Sequence, residues 1–245
     1  MRPVRKGVSP VVGDFKKYED AKKELVGRLG SYCSYCERKI STLLAVEHIE
    51  PKDGDFGKPA LEKRWTNFLL ACTNCNSCKG SKEVDFHRLI FPDRDNTFHA
   101  FIYTEDGKIG VNTTLNPAQM VLANNTLALV GLDKPIQQYK DSNGLQVALD
   151  RVAQRMEAFG VAEAALALLK RDPRSDVLKE SIVMTAESNG FFSIWMKVFD
   201  SYPEMKVKFI KAYKGTEITG CFNMLNGSSL HPSPNPDRLE CGGKI

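Results

Sequence analysis

The chain has 245 residues, 42% hydrophobic and 26% charged, with a formal net charge of +4. That balance excludes a globally disordered chain, and no apolar run approaches the roughly 20 residues of a membrane-spanning helix. The opening Met1-Arg2-Pro3-Val4-Arg5-Lys6 lacks the apolar core of a secretory signal, so a cytoplasmic protein of one or two domains, with no membrane partner, is expected.

Charge is unevenly spread: residues 1–82 carry 16 Lys and Arg against 10 Asp and Glu, and the rest of the chain 18 against 20. A basic first third suits a phosphate-rich partner, although a solvated charged face has the same composition.

A helix is predicted over 14–29, with apolar positions at Phe15, Tyr18, Leu25 and Leu29, Asp14 to cap it and Gly30 to end it. It leads into Cys33-Ser-Tyr-Cys36. Ser41–Val46 is short, apolar and partly β-branched, and reads as a strand ending at Glu47-His48, after which Pro51, Gly54 and Gly57 open a loop. A second short strand lies near Trp65–Leu70. Cys72-Thr-Asn-Cys75 follows, and a helix is predicted to begin after Cys75, with Asn76 at its start.

Four of the seven cysteines therefore sit in two Cys-x-x-Cys pairs, the usual ligand set of a closed tetrahedral zinc. Cys33, Cys36, Cys72 and Cys75 would staple a segment too short to build its own core. Cys75 and Cys78 share the same spacing; Cys72 with Cys75 is the choice that leaves Asn76 at the helix start. Of the others, Cys78 and Cys221 read as buried small apolar residues and Cys241 as an exposed thiol.

His48 is the candidate general base, since a neutral imidazole can take a proton from water near physiological pH. Glu47 and Asn76 offer oxygen ligands for Mg2+ or Mn2+. Adjacent strand residues face opposite ways, so Glu47 and His48 must converge at a twisted strand end.

Further along, Phe98–Tyr103 and Lys108–Val111 flank the turn signal Asp106-Gly107, which predicts a hairpin. Asn116-Pro117 is a helix cap and first-turn pair, and Leu149, Val152, Met156 and Phe159 form one helical stripe. Helical pieces are predicted over 161–170, 176–188, 192–199 and 205–213. His87 and His99 read as structural donors, Asp93, Arg94 and Asp95 as turn caps or substrate contacts, and Trp65 and Trp195 as core. From Asn223 the chain is rich in Asn, Gly, Ser and Pro, and an extended or disordered tail is expected.

These residues carry a resemblance. Cys-x-x-Cys, Glu-His-Ile-x-Pro-Lys, Trp-x-Asn-Phe-Leu-Leu-x-Cys-x-x-Cys-Asn and Lys-Gly-Ser-Lys resemble the HNH nuclease motif of the ββα-metal fold. The resemblance implies that His48 is the general base, that Glu47 and Asn76 hold one divalent cation, and that Asn67 orders the loop and the base. Glu47 departs from the family's usual Asp by one methylene. Lys79 and Lys82 would lie close to substrate phosphate.

The opening Arg-Pro-Val-Arg-Lys, Tyr32–Arg38, Phe91–Phe98 and Phe192–Met196 are similar to the PtuB-type HNH proteins of Septu and retron-associated anti-phage systems. That similarity implies a PtuA-type ATPase partner, in retron systems a reverse transcriptase and its msDNA, and DNA or transfer RNA as target. The resulting expectation is an α+β chain with a zinc-stapled ββα-metal HNH domain and a mainly helical C-terminal lobe. Its parts are a basic arm and helix (1–30), the HNH nuclease domain (31–95), a hairpin and helical lobe for partner docking (96–222) and a flexible tail (223–245). The alternative is a non-catalytic zinc-ribbon module gripping nucleic acid through Arg64, Lys79 and Lys82.

Overall fold

A computed structural model describes residues 1–134 and 151–245. The stripe residue Leu149 lies outside them. Among the described residues the architecture is α+β, two small two-stranded sheets among helices, and the expected ββα unit is present. Strands β1 (Ala45–His48) and β2 (Phe68–Ala71) pair antiparallel, with Glu47 opposite Leu69 and His48 opposite Phe68, and helix α2 (Thr73–Lys79) follows directly.

The boundaries shift for local reasons. Helix α1 covers only Ala21–Leu29, because the chain first makes a short 3-10 turn at Tyr18–Asp20; Asp14 caps nothing. Trp65–Asn67 is likewise a 3-10 turn rather than strand. Helix α2 begins before Cys75, not after it: Cys72 is its cap, the sulfur accepting the Cys75 N–H at 3.4 Å, so Asn76 lies inside the helix.

A four-residue helix α3 (Thr97–Ala100) feeds the predicted hairpin, β3 (Phe101–Tyr103) with β4 (Ile109–Val111). Gly107 turns it at φ 73°, and a Cβ there would stand 2.4 Å from the Val152 carbonyl, so only glycine fits against the helix that carries Val152. Helix α4 (Pro117–Val130) starts with the expected cap, completed by Gln119 into a reciprocal capping box.

Helix α5 runs unbroken over Arg151–Arg171 and so joins two pieces predicted to be separate. Gly160 lies between them, where a side chain would meet open space, and a mid-helix glycine costs only about 1 kcal/mol. Val152 and Phe159 face the core, whereas Met156 is 48% exposed. Helices α6 (Asp176–Asn189), α7 (Phe192–Val198) and α8 (Pro203–Ala212) complete the lobe. Trp195, Phe199 and Phe209 pack against one another there, with ring centroids 5.2–6.1 Å apart.

Both termini pack inward. The tail expected to be loose turns at 223–229 and docks: Ile245 is buried, its carbonyl accepts the amides of Asn96 (2.9 Å) and Ser233 (2.8 Å), and Lys244 Nζ donates to Phe86 O (2.8 Å). The arm's cations are also spent internally. Arg2 donates to Thr216 Oγ1 (2.6 Å) and Leu29 O (2.8 Å) between the rings of Tyr32 and Tyr213, and Lys6 reaches Thr66 O and Asp93 at 3.0 Å each. Part of the basic surplus in residues 1–82 is therefore internal ion pairing rather than a phosphate-facing surface.

Glu37 ties the halves together. One residue past the first knuckle, it is 1% exposed and accepts from Ser193 Oγ (2.6 Å), Ser193 N (2.7 Å) and Tyr103 OH (3.1 Å), with the Met1 ammonium 3.1 Å away. Asp93, Arg94 and Asp95, expected as turn caps or substrate contacts, are buried too. Asp93 pairs with Lys6 and Arg94, and Asp95 accepts the Phe91 amide.

Candidate active site and sulfur cage

The four cysteines of the two knuckles are all buried, and their sulfurs lie within 4.8 Å of one another, with Cys36 and Cys72 3.8 Å apart. A tetrahedral zinc with bonds of about 2.3 Å needs ligand sulfurs about 3.8 Å apart, so the cage fits that ion. Burial drives the Cys33 thiol well above its ordinary value, neighbouring sulfurs do the same to Cys75, and hydrogen bonds from the other three drive Cys72 down. Four sulfurs this close cannot all ionise without a cation among them.

Cys78, the alternative ligand, stands outside the cage and is half-buried. Arg151, at the start of α5, links the two: its Nη1 lies 3.5 Å from Cys75 Sγ and its Nη2 4.0 Å from Cys78 Sγ. A guanidinium beside the cage offsets the net negative charge that four thiolates leave on a dication.

Beside the cage, β1, α2 and the loop after β1 enclose a cleft of about 660 Å3 bordered by Glu47, His48 and Asn76, together with Tyr18, Lys22 and Lys52. Strand alternation sends Glu47 inward and His48 to the opposite side, yet both border the cleft, because β1 stops at His48. A larger groove of about 1040 Å3 between the β3–β4 hairpin and α5 contains no histidine or cysteine.

The His48 ring is held on three sides. Tyr18 and Phe68 meet it edge-on, with centroids 4.8 and 5.4 Å away, and Nε2 lies 2.8 Å from the Glu62 carbonyl oxygen. A carbonyl only accepts, so Nε2 carries the proton and Nδ1 keeps the lone pair. Burial lowers the His48 pKa below its ordinary value, despite the opposing pull of the Glu62 carbonyl.

Asn67 bonds the loop at Glu50 and at Leu61. Its Oδ1 accepts the Glu50 amide (2.8 Å), and its Nδ2 donates to Glu50 O (3.0 Å) and Leu61 O (3.2 Å), next to Glu62. It clamps the loop without bordering the cleft.

Two lysines part company. Lys82 is exposed and does not border the cleft. Lys79, expected close to substrate phosphate, is 1% exposed, with Nζ 2.7 Å from the His48 carbonyl and 3.0 Å from Glu47 Oε1. These two partners take two of its three N–H groups, and the residue borders the cleft. Tyr35 OH also reaches Glu47 Oε1, at 3.4 Å. Burial raises the Glu47 pKa above the ordinary carboxylate value, and Lys79 and Tyr35 oppose that rise.

Sequence reasoning missed Tyr18, Lys22 and Lys52 at the cleft, and Tyr35 behind Glu47. Tyr35 alone had a signal, its place between two zinc-spaced cysteines. The remaining histidines lie apart from the cleft: His87 meets the half-buried Cys241 sulfur at 3.6 Å, and His99 stacks on His231 at 3.7 Å.

The sequence model of the HNH endonuclease family matches residues 33–82, which include the cage and Glu47, His48 and Asn76 of the cleft. The chain is also 31% identical over 141 residues to a Vibrio cholerae (serotype O1 biovar El Tor) protein named "Retron Vc95 putative HNH endonuclease", a match covering 53% of this chain and 68% of that relative. The chain belongs to the HNH endonuclease family. This HNH endonuclease is a nuclease, which sets aside the non-catalytic zinc-ribbon alternative. No helix among the described residues of this HNH endonuclease is long and apolar enough to cross a membrane.

Proposed function

We propose that this nuclease hydrolyses phosphodiester bonds of DNA or transfer RNA with His48 as general base, in a cleft where Glu47 and Asn76 hold one Mg2+ or Mn2+. The carrying observation is the 2.8 Å contact between His48 Nε2 and the Glu62 carbonyl, which leaves Nδ1 as the proton acceptor. His48 Nδ1 takes a proton from the attacking water, while Tyr18 and Phe68 keep the ring from turning. Asn67 holds the loop that carries the Glu62 carbonyl. The divalent ion, when bound, supplies Lewis-acid stabilisation of the phosphate and its leaving oxygen. Glu47 fits a ligand role through its carboxylate, and Asn76 through a half-buried amide bordering the same cleft. Lys22 and Lys52 line the approach and offer charge to the backbone phosphates. Lys82, exposed just past α2, is a phosphate contact outside the cleft.

The cage of Cys33, Cys36, Cys72 and Cys75 holds a structural zinc with no chemical part, since four protein ligands fill a tetrahedral ion. The retron relative supports a place in anti-phage defence. In that setting the 31–95 unit is the nuclease, and the helical lobe of 96–222 docks a PtuA-type ATPase, alone or with a reverse transcriptase and its msDNA.

The test is incubation of the purified chain, alone and with its partner, with labelled duplex DNA, single-stranded DNA and transfer RNA, with and without Mg2+. Metal-dependent cleavage that disappears in His48→Ala is expected; cleavage that survives it overturns the assignment. Loss of the ATPase from the full chain on charge reversal at exposed lobe residues such as Lys170 and Arg171, with zinc retained, is the expected sign of docking through the lobe.

A further inference from the structure

Glu47 has two unlike oxygens. Oε1 lies 3.0 Å from Lys79 Nζ and 3.4 Å from Tyr35 OH, whereas Oε2 takes no hydrogen bond among the described residues. Oε2 is nevertheless not among the fully buried polar atoms left without a partner, so it keeps contact with the cleft. We propose that Lys79 and Tyr35 are positioning residues that pin Oε1, so that Oε2 is presented as a single-oxygen ligand to a divalent cation in the cleft. This rests on the reading of Glu47 as a ligand of that cation.

The placement follows from the helix. Asn76 and Lys79 are three residues apart on α2 and so share its face toward β1, and both border the cleft. Lys79 also donates to the His48 carbonyl at 2.7 Å, so one ammonium holds the backbone of the proposed base and the side chain of the proposed ligand. Tyr35 comes from the other direction, inside the first zinc knuckle, and couples the carboxylate to the sulfur cage. A carboxylate held at one oxygen cannot swing to chelate through both. That suits a small hard cation, which keeps most of its water and takes one or two carboxylate oxygens. Groups that orient a metal ligand commonly account for about 10–100-fold in metal affinity.

The experiment is Mn2+ binding to the zinc-loaded full chain, followed by electron paramagnetic resonance and calorimetry, for the parent, Lys79→Met, Tyr35→Phe and Glu47→Gln. Lys79→Met is expected to weaken Mn2+ binding about 10–100-fold, and Tyr35→Phe by a smaller factor, with zinc content unchanged. In cleavage assays the Mn2+ concentration giving half the maximal rate rises with the dissociation constant, and saturating Mn2+ restores most of the maximal rate. If Glu47→Gln loses Mn2+ while Lys79→Met and Tyr35→Phe bind it like the parent, the positioning role is refuted and the ligand reading stands. If Glu47→Gln also binds like the parent, both fall. Should Lys79→Met fail to fold, Tyr35→Phe decides, because it removes one hydroxyl and leaves the ring in place.

Discussion

The Nε2 of His48 lies 2.8 Å from the carbonyl oxygen of Glu62, and that contact fixes the tautomer of the ring. The acid side of the pH–rate profile reports this environment. The base works only when neutral, and burial lowers its pKa from 6.5, so the rate should rise with pH through an apparent pKa below 6.5 and then level off. Cleavage rates measured from pH 5 to 8 at saturating Mg2+ check this; a midpoint above 7 contradicts it.

Removing the base should cost rate and little else. His48→Ala is expected to cleave about 10²–10⁴-fold more slowly, with zinc content and circular dichroism like the parent. A variant that has lost its zinc would mean the ring serves the fold instead.

The sulfur cage should behave oppositely. Cys36→Ser is expected to lose zinc and fold poorly, because binding energy at a structural zinc is also folding energy. Metal analysis and thermal melting decide, and a folded, zinc-free, active Cys36→Ser protein would refute the staple.

Asn67→Ala should strike both properties. It strands the buried Glu50 amide, an expected loss of about 1–3 kcal/mol in urea unfolding. It also frees the loop at Leu61, beside the carbonyl that orients His48, so the maximal rate should fall more than the affinity for substrate.

Asp93 sets an acid limit to stability. Burial pushes its carboxyl up, but Arg94 and Lys6 outweigh that and hold it below the ordinary value. A depressed folded pKa gives stability that is fully present above the unfolded value and lost as pH falls through the folded one, so the loss should continue below pH ~3.9. Asp93→Asn is expected to cost about 3–5 kcal/mol at neutral pH, by leaving the Lys6 ammonium buried without its carboxylate. Denaturant melts across pH measure both effects.

What the sequence disclosed was local. Cysteine spacing, the Asn116-Pro117 cap and the Asp106-Gly107 turn each act over a few residues, and the structure keeps all three. The core of the candidate site was legible for the same reason, since His48, Glu47 and Asn76 sit in short motifs at the ends of short elements. The burial of Lys79 was not, because it depends on which acceptors the rest of the fold brings to it, here Glu47 and the His48 carbonyl. The tail was misread on similar grounds: its Pro, Gly and Ser content offers few side chains for a core, yet its backbone finds partners at 94–96. Tyr18 and Lys52 reach the cleft only because a 3-10 turn and a loop meet across His48.

Glu37 and Arg151 also bear on how the enzyme can be engineered. The knuckle's glutamate is hydrogen-bonded by groups from the hairpin and α7 and paired with the Met1 ammonium, and the cage's second sulfur pair is touched by a guanidinium from α5. A graft of residues 33–82 into another scaffold would leave an acid without its counter-groups and strip the cover from Leu69 and Leu70, both wholly buried. The cutting motif is thus no portable cassette, and chimeras should carry the lobe along with it.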